Sequence, residues 1–405
     1  MNSEVIFFVI VAFLCLEFVV ERVLDRLNMK AMSPVLPSRL QGIYDEKEYN
    51  RFVNYKRETG RLEWLESVVG FIVMLGFLCA GGFGWLNGWI VSWTDSVVWQ
   101  TLLFMGILSV ASGVLEMPFD WYATFRIEEK YGFNKTTWKT YVGDFLKGML
   151  LSALLGGLLL SAVVWFYEWA GPLFWLYAWI AVTVVSVFMS MFYSQLIVPL
   201  FNKQTPLEQG SLRDKIQAFA DKVGFRLNNI YVMDGSKRST KANAYFTGLG
   251  PKKRIVLYDT LIDELTEEEI VAVLAHEVGH YKRKHTVQFM LASVLQTGIM
   301  LWLFSLLVNE ALGGDRAYFQ LGLVAFALLY TPVSMVLGLG MNAWSRKNEY
   351  EADAFAAQNY DGQALISGLK KISVKALSNL TPHPVYEAVY YSHPSLLKRI
   401  RGIEK

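Results

Sequence analysis

Apolar residues run along the chain in long blocks, and seven blocks approach the roughly 20 residues a helix needs to cross a hydrocarbon layer. They centre on Val5 to Leu24, Leu65 to Leu86, Val97 to Met117, Met149 to Phe166, Leu173 to Val198, Val287 to Val308 and Phe319 to Met341. Only the YEWAGP stretch ending at Pro172 parts the fourth block from the fifth, so a tight turn is expected there. The pattern predicts an all-α polytopic membrane protein in two regions. Residues 1-200 hold five spans, and residues 201-405 hold spans six (287-308) and seven (319-341) together with whatever chemistry the chain performs.

Two stretches are soluble in character, roughly Phe201 to Thr286 and Asn342 to Lys405. In the first, LEQGSLRDKIQAFADKVGF has the spacing of an amphipathic helix, and NIYVMD and KRIVLYD read as short strands around the loop GSKRSTKANAYFTGLGP. A small sheet beside a helix is therefore expected. Thr266 followed three residues on by Glu269 is a capping-box pattern, which starts a helix through HEVGH that runs on toward the sixth span.

Composition agrees with a membrane protein: 53% of residues are apolar and 18% charged, where an ordinary soluble domain has roughly a quarter charged. The chain opens MNSE, without a positive segment or a small-residue cleavage site after the apolar run, so that run is read as a retained span. The formal charge is +2 and no basic block alternates with aromatics, so nucleic acid is not an expected partner. Cys15 and Cys79 both fall in apolar runs and suggest neither a disulfide nor a thiolate metal site.

Basic residues crowd the first connection (Arg22, Arg26, Lys30, Arg39, Lys47, Arg51, Lys56, Arg57, Arg61) and the third (Arg126, Lys130, Lys135, Lys139, Lys147). The second and fourth carry none, and the sixth only Arg316. Since Lys and Arg collect on the cytoplasmic side, the N-terminus is expected outside and the C-terminal region in the cytosol. Trp85, Trp89, Trp93 and Trp99 fall where an outer aromatic belt would contact membrane lipids.

All five histidines lie in the last third of the chain. His276 and His280 are four residues apart, about 40° in helical rotation, so both imidazoles leave one face and can share a metal ion. Glu277, beside the first, can reach a water-bearing position. A catalytic zinc usually takes a third protein ligand, and the candidates are His285, His383, His393 and the acids of SRKNEYEADAFA. His285 is about 140° round from His280 on an unbroken helix and is expected to face solvent or headgroups. Glu349 and Asp353 share a helix face while Glu351 points nearly opposite. Glu349 is the better ligand, and Asp353 is placed to accept the second N–H of a ligating histidine.

These residues occur in motifs that closely resemble the integral-membrane CAAX prenyl protease type 1 family of zinc metalloendopeptidases. The matches run in order along nearly the whole chain: EEKYGFNKTT at Glu128 to Thr137, PLFNKQTPL at Pro199 to Leu207, NAYFTG at Asn243 to Gly248, HEVGH, SRKNEYEAD, and SHPSLLKR at Ser392 to Arg399. The resemblance implies one Zn2+ per chain on His276, His280 and Glu349, with Glu277 as general base and Asp353 in support. It implies that Asn243, Ala244 and Tyr245 lie along the substrate, and that His393 and Arg399 sit over the cleft to stabilise an oxyanion or clamp the peptide. It further implies a ring of seven long transmembrane helices around a large water-filled chamber, with a small α+β peptidase cap on the cytoplasmic side. Glu17 and Glu116, acids within or near the ends of apolar spans, would then line a wet interior.

The expected reaction is peptide-bond hydrolysis on a peptide or protein substrate, which in eukaryotic relatives is lipid-modified at a C-terminal C-a-a-X. Short outer loops and an RGIEK end without a retrieval signal point instead to a bacterial inner membrane and a role in peptide or membrane-protein quality control. The competing class is a seven-span transporter or receptor with a structural metal. The paired Gly/Pro-broken spans that mark transport sites are missing from the sequence.

Overall fold

The computed structural model describes residues 3–32, 46–225, 230–241, 243–247, 254–308 and 318–405. Arg39 and Arg316 of the loop-charge argument, and Gly248 of the NAYFTG stretch, lie outside them.

Each apolar run lies on helix, with one interruption. The first falls in α1 (Ser3–Ala31). The second is broken: α2 (Glu46–Cys79) stops short of Leu86, Gly81 takes a left-handed φ of 69°, and α3 (Gly82–Val91) turns away with its tryptophans. α4 (Val97–Tyr122) passes into a π-helical turn at Ala123–Glu128. α5 (Trp138–Ala170) and α6 (Phe174–Leu196) are joined at Gly171, φ 53°, the tight turn expected of YEWAGP. α10 (His285–Leu306) and α11 (Phe319–Asn359) hold the last two runs.

Five helical stretches among the described residues are long and apolar enough to cross a membrane: Lys47–Cys79, Val97–Glu128, Trp138–Leu200, His285–Leu306 and Phe319–Asn359. The third contains both α5 and α6. The run in α1, expected to cross first, is not among the five. Leu158, Trp85 and Val336, for example, are left 74%, 70% and 67% exposed, as lipid-facing side chains are. A cavity of about 690 Å³ opens between α2, α4 and α11, and Glu116 lies on its wall, accepting a 2.7 Å hydrogen bond from Ser112.

The rest of the chain folds onto one end of these helices. A four-stranded sheet runs in the order β1 (Gln204–Pro206), β2 (Ile230–Met233), β4 (Arg254–Tyr258), β3 (Ala244–Thr247). β2 and β4 pair in parallel, the outer two antiparallel, and β3 lies at an edge. Ile230, Ile255 and Leu257 of the sheet pack with Ile216 and Phe219 of α7 (Ser211–Lys222) against α9 (Glu267–Lys282). The short α8 (Asp259–Glu264) links sheet to helix. α12 (Gly362–Lys375), α13 (Pro384–Tyr390) and α14 (Leu396–Ile403) fold back over the end of α11.

The capping box expected at the start of α9 is formed, with Glu269 accepting from Thr266 N at 2.8 Å and Thr266 Oγ1 accepting from Glu269 N at 3.3 Å. Glu269 also receives Ser367 Oγ at 2.6 Å and Lys371 Nζ at 2.8 Å, which ties α9 to α12. The expectation that α9 runs on into α10 is corrected by the structure. Lys284 adopts φ 59°, ψ 27°, a left-handed conformation that ends one helix and redirects the next.

Candidate metal centre

Two helices make the centre, and small residues let them close. A Cβ on Gly279 would come within 3.1 Å of Ala352 Cα and of Phe355 Cβ, so the α9 and α11 backbones approach as nearly as glycine allows. That approach faces His276 and His280 of α9 toward Glu349 of α11. His280 Nε2 is 3.2 Å from Glu349 Oε1, His276 Nε2 is 3.5 Å from Glu349 Oε2, and the two imidazole Nε2 atoms are 3.1 Å apart. One ligand atom from each residue lies within 4.8 Å of the others.

The donor set fits a divalent metal ion of the zinc type. Two imidazoles and a carboxylate make three of four tetrahedral positions and leave one open. Buried Glu349 Oε2 accepts no close hydrogen bond among the described residues, having only His276 Nε2 at 3.5 Å and Arg399 Nη1 at 3.6 Å beside it, a deficit that a metal ion would remove. The centre attracts positive charge: burial and the Arg399 guanidinium both oppose protonation of His276, but hydrogen bonds to Asp353 and Glu349 outweigh them and its imidazole is pushed up to about 9.

Behind the ligands, Asp353 is 1% exposed and its Oδ1 lies 2.9 Å from His276 Nδ1, fixing the ring with Nε2 toward Glu349. Arg399 grips the same carboxylate in bidentate fashion, Nε to Oδ2 at 2.9 Å and Nη2 to Oδ1 at 2.6 Å. Its side chain is 11% exposed, and Nη1 lies 3.6 Å from Glu349. The structure thus commits most of this guanidinium to Asp353, deeper than a group held over a cleft. His393, on the loop before α14, is 64% exposed with Nε2 3.3 Å from Glu349 Oε1. Glu277 is half-buried beside His276, and its carboxylate makes no hydrogen bond or ion pair among the described residues.

Asn243 and Ala244 lie at the exposed edge of the sheet next to α9. Tyr245 turns elsewhere: its hydroxyl meets Ser194 Oγ of α6 and Gln204 Nε2 of β1, each at 3.4 Å. His383 caps α13, accepting from Val385 N at 3.3 Å.

His285 overturns the sequence expectation. It is 2% exposed, with Nδ1 3.0 Å from His280 Nδ1 and Nε2 3.3 Å from Glu351 Oε2. The turn at Lys284 swings the ring back, so the rotation of an unbroken helix does not apply. Arg346 and Glu387 carry no sequence signal of a role in the site. Arg346 Nη1 donates to the carbonyls of Glu387, Ala388 and Tyr391, at 3.2, 3.2 and 2.5 Å, and Glu387 Oε1 accepts from Ser395 N at 2.9 Å. Together they fasten the loop that carries His393.

Two family models match. Residues 25–203 fit "CAAX prenyl protease N-terminal, five membrane helices", and residues 206–405 fit "Peptidase family M48". A CAAX prenyl protease 1 homolog of Arabidopsis thaliana is 33% identical over 98% of this chain and 96% of its own length. CAAX prenyl protease 1 of Saccharomyces cerevisiae is 33% identical over 94% and 90%. The chain belongs to the CAAX prenyl protease 1 family. The crystal structure of S. mikatae Ste24p superposes with a TM-score of 0.92 at 33% identity, covering 100% of this chain and 99% of that one. As a member of the CAAX prenyl protease 1 family the protein is a multi-pass membrane metalloendopeptidase, and the competing reading as a transporter or receptor has no support.

Proposed function

We propose that the protein is a one-zinc endopeptidase in which His276, His280 and Glu349 hold the metal and Glu277 moves the protons. The observation that carries this is the convergence of three ligand atoms within 4.8 Å of one another, one of them on a buried carboxylate. Bound there, zinc would supply Lewis acidity that polarises a scissile carbonyl and makes water nucleophilic near neutral pH. Glu277 takes the proton of the attacking water and delivers it to the leaving amine, a role open to a carboxylate that makes no hydrogen bond among the described residues. Asp353 keeps the His276 lone pair turned inward, and Arg399 keeps Asp353 in place. His393, exposed beside Glu349, donates to the oxygen that gains charge in the transition state.

The substrate is a peptide or membrane-protein segment held extended along the free edge of β3, backbone to backbone, by Asn243 and Ala244. Tyr245 props that strand against α6 rather than touching the peptide with its ring. The prenylated C-terminal peptide for which the relatives are named is the first substrate to assay. Residues 1-200 form the N-terminal membrane region of five spans and residues 201-405 the peptidase region, which contributes spans six and seven, so that α1, α2, α4, α5, α6, α10 and α11 cross as seven spans around a wet chamber. The loop charge supports a cytosolic position for the peptidase end.

Metal analysis and peptide turnover of detergent-purified wild type, Glu277→Gln and Glu349→Ala test the assignment. About one zinc per chain is expected in the first two and a loss or marked weakening in the third. Turnover in Glu277→Gln should fall by about 10²- to 10⁴-fold. Hydrolysis by Glu277→Gln at the wild-type rate removes the proposed base, and full metal content in Glu349→Ala removes the proposed ligand.

A further inference from the structure

His276 and His280 are equivalent in the HEVGH motif but have different surroundings. The outer nitrogen of His276 meets a carboxylate directly, Asp353 at 2.9 Å. The outer nitrogen of His280 meets a second imidazole, His285 at 3.0 Å, and only beyond it a carboxylate, Glu351 at 3.3 Å. We propose that His285 and Glu351 are positioning residues that act through His280, forming a hydrogen-bonded relay that sets its tautomer and aims its Nε2 at the metal. The inference rests on the reading of His280 as a metal ligand.

Proton logic allows the relay one arrangement. His280 Nε2 faces Glu349 and His276, so as a ligand it must present a lone pair there and carry its proton on Nδ1. That Nδ1–H points at His285 Nδ1, which must then be the acceptor. The proton of His285 is left on Nε2, directed at Glu351, and an ionised carboxylate only accepts. Each link forces the next, from Glu351 through His285 to His280. If either outer member is removed, His280 can equally well hold its proton on the metal-facing nitrogen.

The backbone is shaped for this contact. Lys284 sits in a left-handed conformation without being glycine, a strained choice for a lysine, and the next residue is His285. Without that turn the fifth residue after His280 would lie about 140° away around the helix. His285 is also fully enclosed, and a buried imidazole needs both nitrogens satisfied, as these are. α11 thus contributes three carboxylates at alternate positions: the ligand Glu349 and, two and four residues on, Glu351 and Asp353, which anchor His285 and His276.

The test is metal affinity by chelator competition, together with the visible spectrum of the cobalt-substituted protein, on purified full-length chains. His285→Leu keeps the bulk and removes both hydrogen bonds; Glu351→Leu removes only the terminal acceptor from a half-exposed site. Each should weaken zinc binding by about 10- to 100-fold and alter the cobalt spectrum. His285→Gln offers an acceptor oxygen and a donor N–H in one side chain and should recover most of the affinity, which a purely space-filling role would not predict. Wild-type affinity and an unchanged cobalt spectrum in both leucine variants overturn the relay. If His285→Leu does not fold, Glu351→Leu decides alone. His276→Ala serves as control: if even this variant keeps its metal, the reading of the centre fails rather than the relay.

Discussion

His276 is the residue at which proton and metal compete most directly. In the metal-free protein its imidazole is pushed up to about 9 from the usual 6.5, because hydrogen bonds to Asp353 and Glu349 overcome burial and Arg399. A raised folded-state value means that the protonated ring stabilises the metal-free fold fully below about 6.5, and that this support disappears as pH rises through about 9. Zinc needs the same nitrogen unprotonated, so binding releases a proton throughout that window. Apparent zinc affinity should therefore climb about tenfold per pH unit from 7 to 9, which chelator competition at fixed ionic strength would measure. A flat profile would show that His276 does not carry the competing proton. His276, His280, Glu349 and Asp353 were all legible in the sequence, since four-residue spacing on a helix fixes which side chains share a face. His285 was not, because a basic run such as YKRKH contains no glycine or proline to announce a left-handed turn.

Between elements, the decisive contact is the seam of α9 on α11. A Cβ on Gly279 would stand 3.1 Å from Ala352 Cα and Phe355 Cβ, tighter than ordinary contact, so the facing helix must give by a few tenths of an ångström for even the smallest side chain and by more for a branched one. Gly279→Val should cost about 1–3 kcal/mol of stability as overpacking and, by separating the histidines from Glu349, lower metal content more than it lowers the melting temperature. A variant that retains full zinc would show that the close approach does not assemble the centre. Much at this scale could be read beforehand. The capping box of α9, the strands β2 and β4, the amphipathic α7 and the tight turn at Gly171 all follow from local pattern. The interruption at Gly81 and Gly82 was overridden by the continuity of apolar residues around it, although a glycine pair is a recognised breaker. β1 is three residues long, too short to alternate visibly, and its pairing with β2 is a tertiary fact. The clamp of Arg346 on three carbonyls joins residues about forty apart, which no local pattern can encode.

Over the whole molecule, charge and aromatic placement argue for one orientation. The tryptophans 85, 89, 93 and 99, each at least 44% exposed, lie on or beside α3 and the start of α4. The metal centre and the basic first and third connections belong to the opposite ends of those apolar runs. In a background with Cys15 and Cys79 replaced, a cysteine at Ser92 should react with a membrane-impermeant maleimide from outside intact cells, while one at Ser378 should react only after lysis. The reverse pattern would invert the proposed topology.

α11 is one helix of 41 residues, with its apolar part and the carboxylates of the candidate metal centre on a single rod that contains Pro332. Proline removes the hydrogen bond that Leu328 O would accept and makes a natural bending point, and the hydroxyls of Thr331 and Ser334 add bonds to the neighbouring carbonyls Ala327 O and Thr331 O. Glu349 stands about 25 Å beyond it along the axis. Through such a lever a change of roughly 10° in tilt moves the carboxylate by about 4 Å, more than coordination tolerates. Bilayer thickness adds its own bias to that tilt, so the rate of hydrolysis is expected to change with acyl-chain length in the host bilayer without touching a single residue.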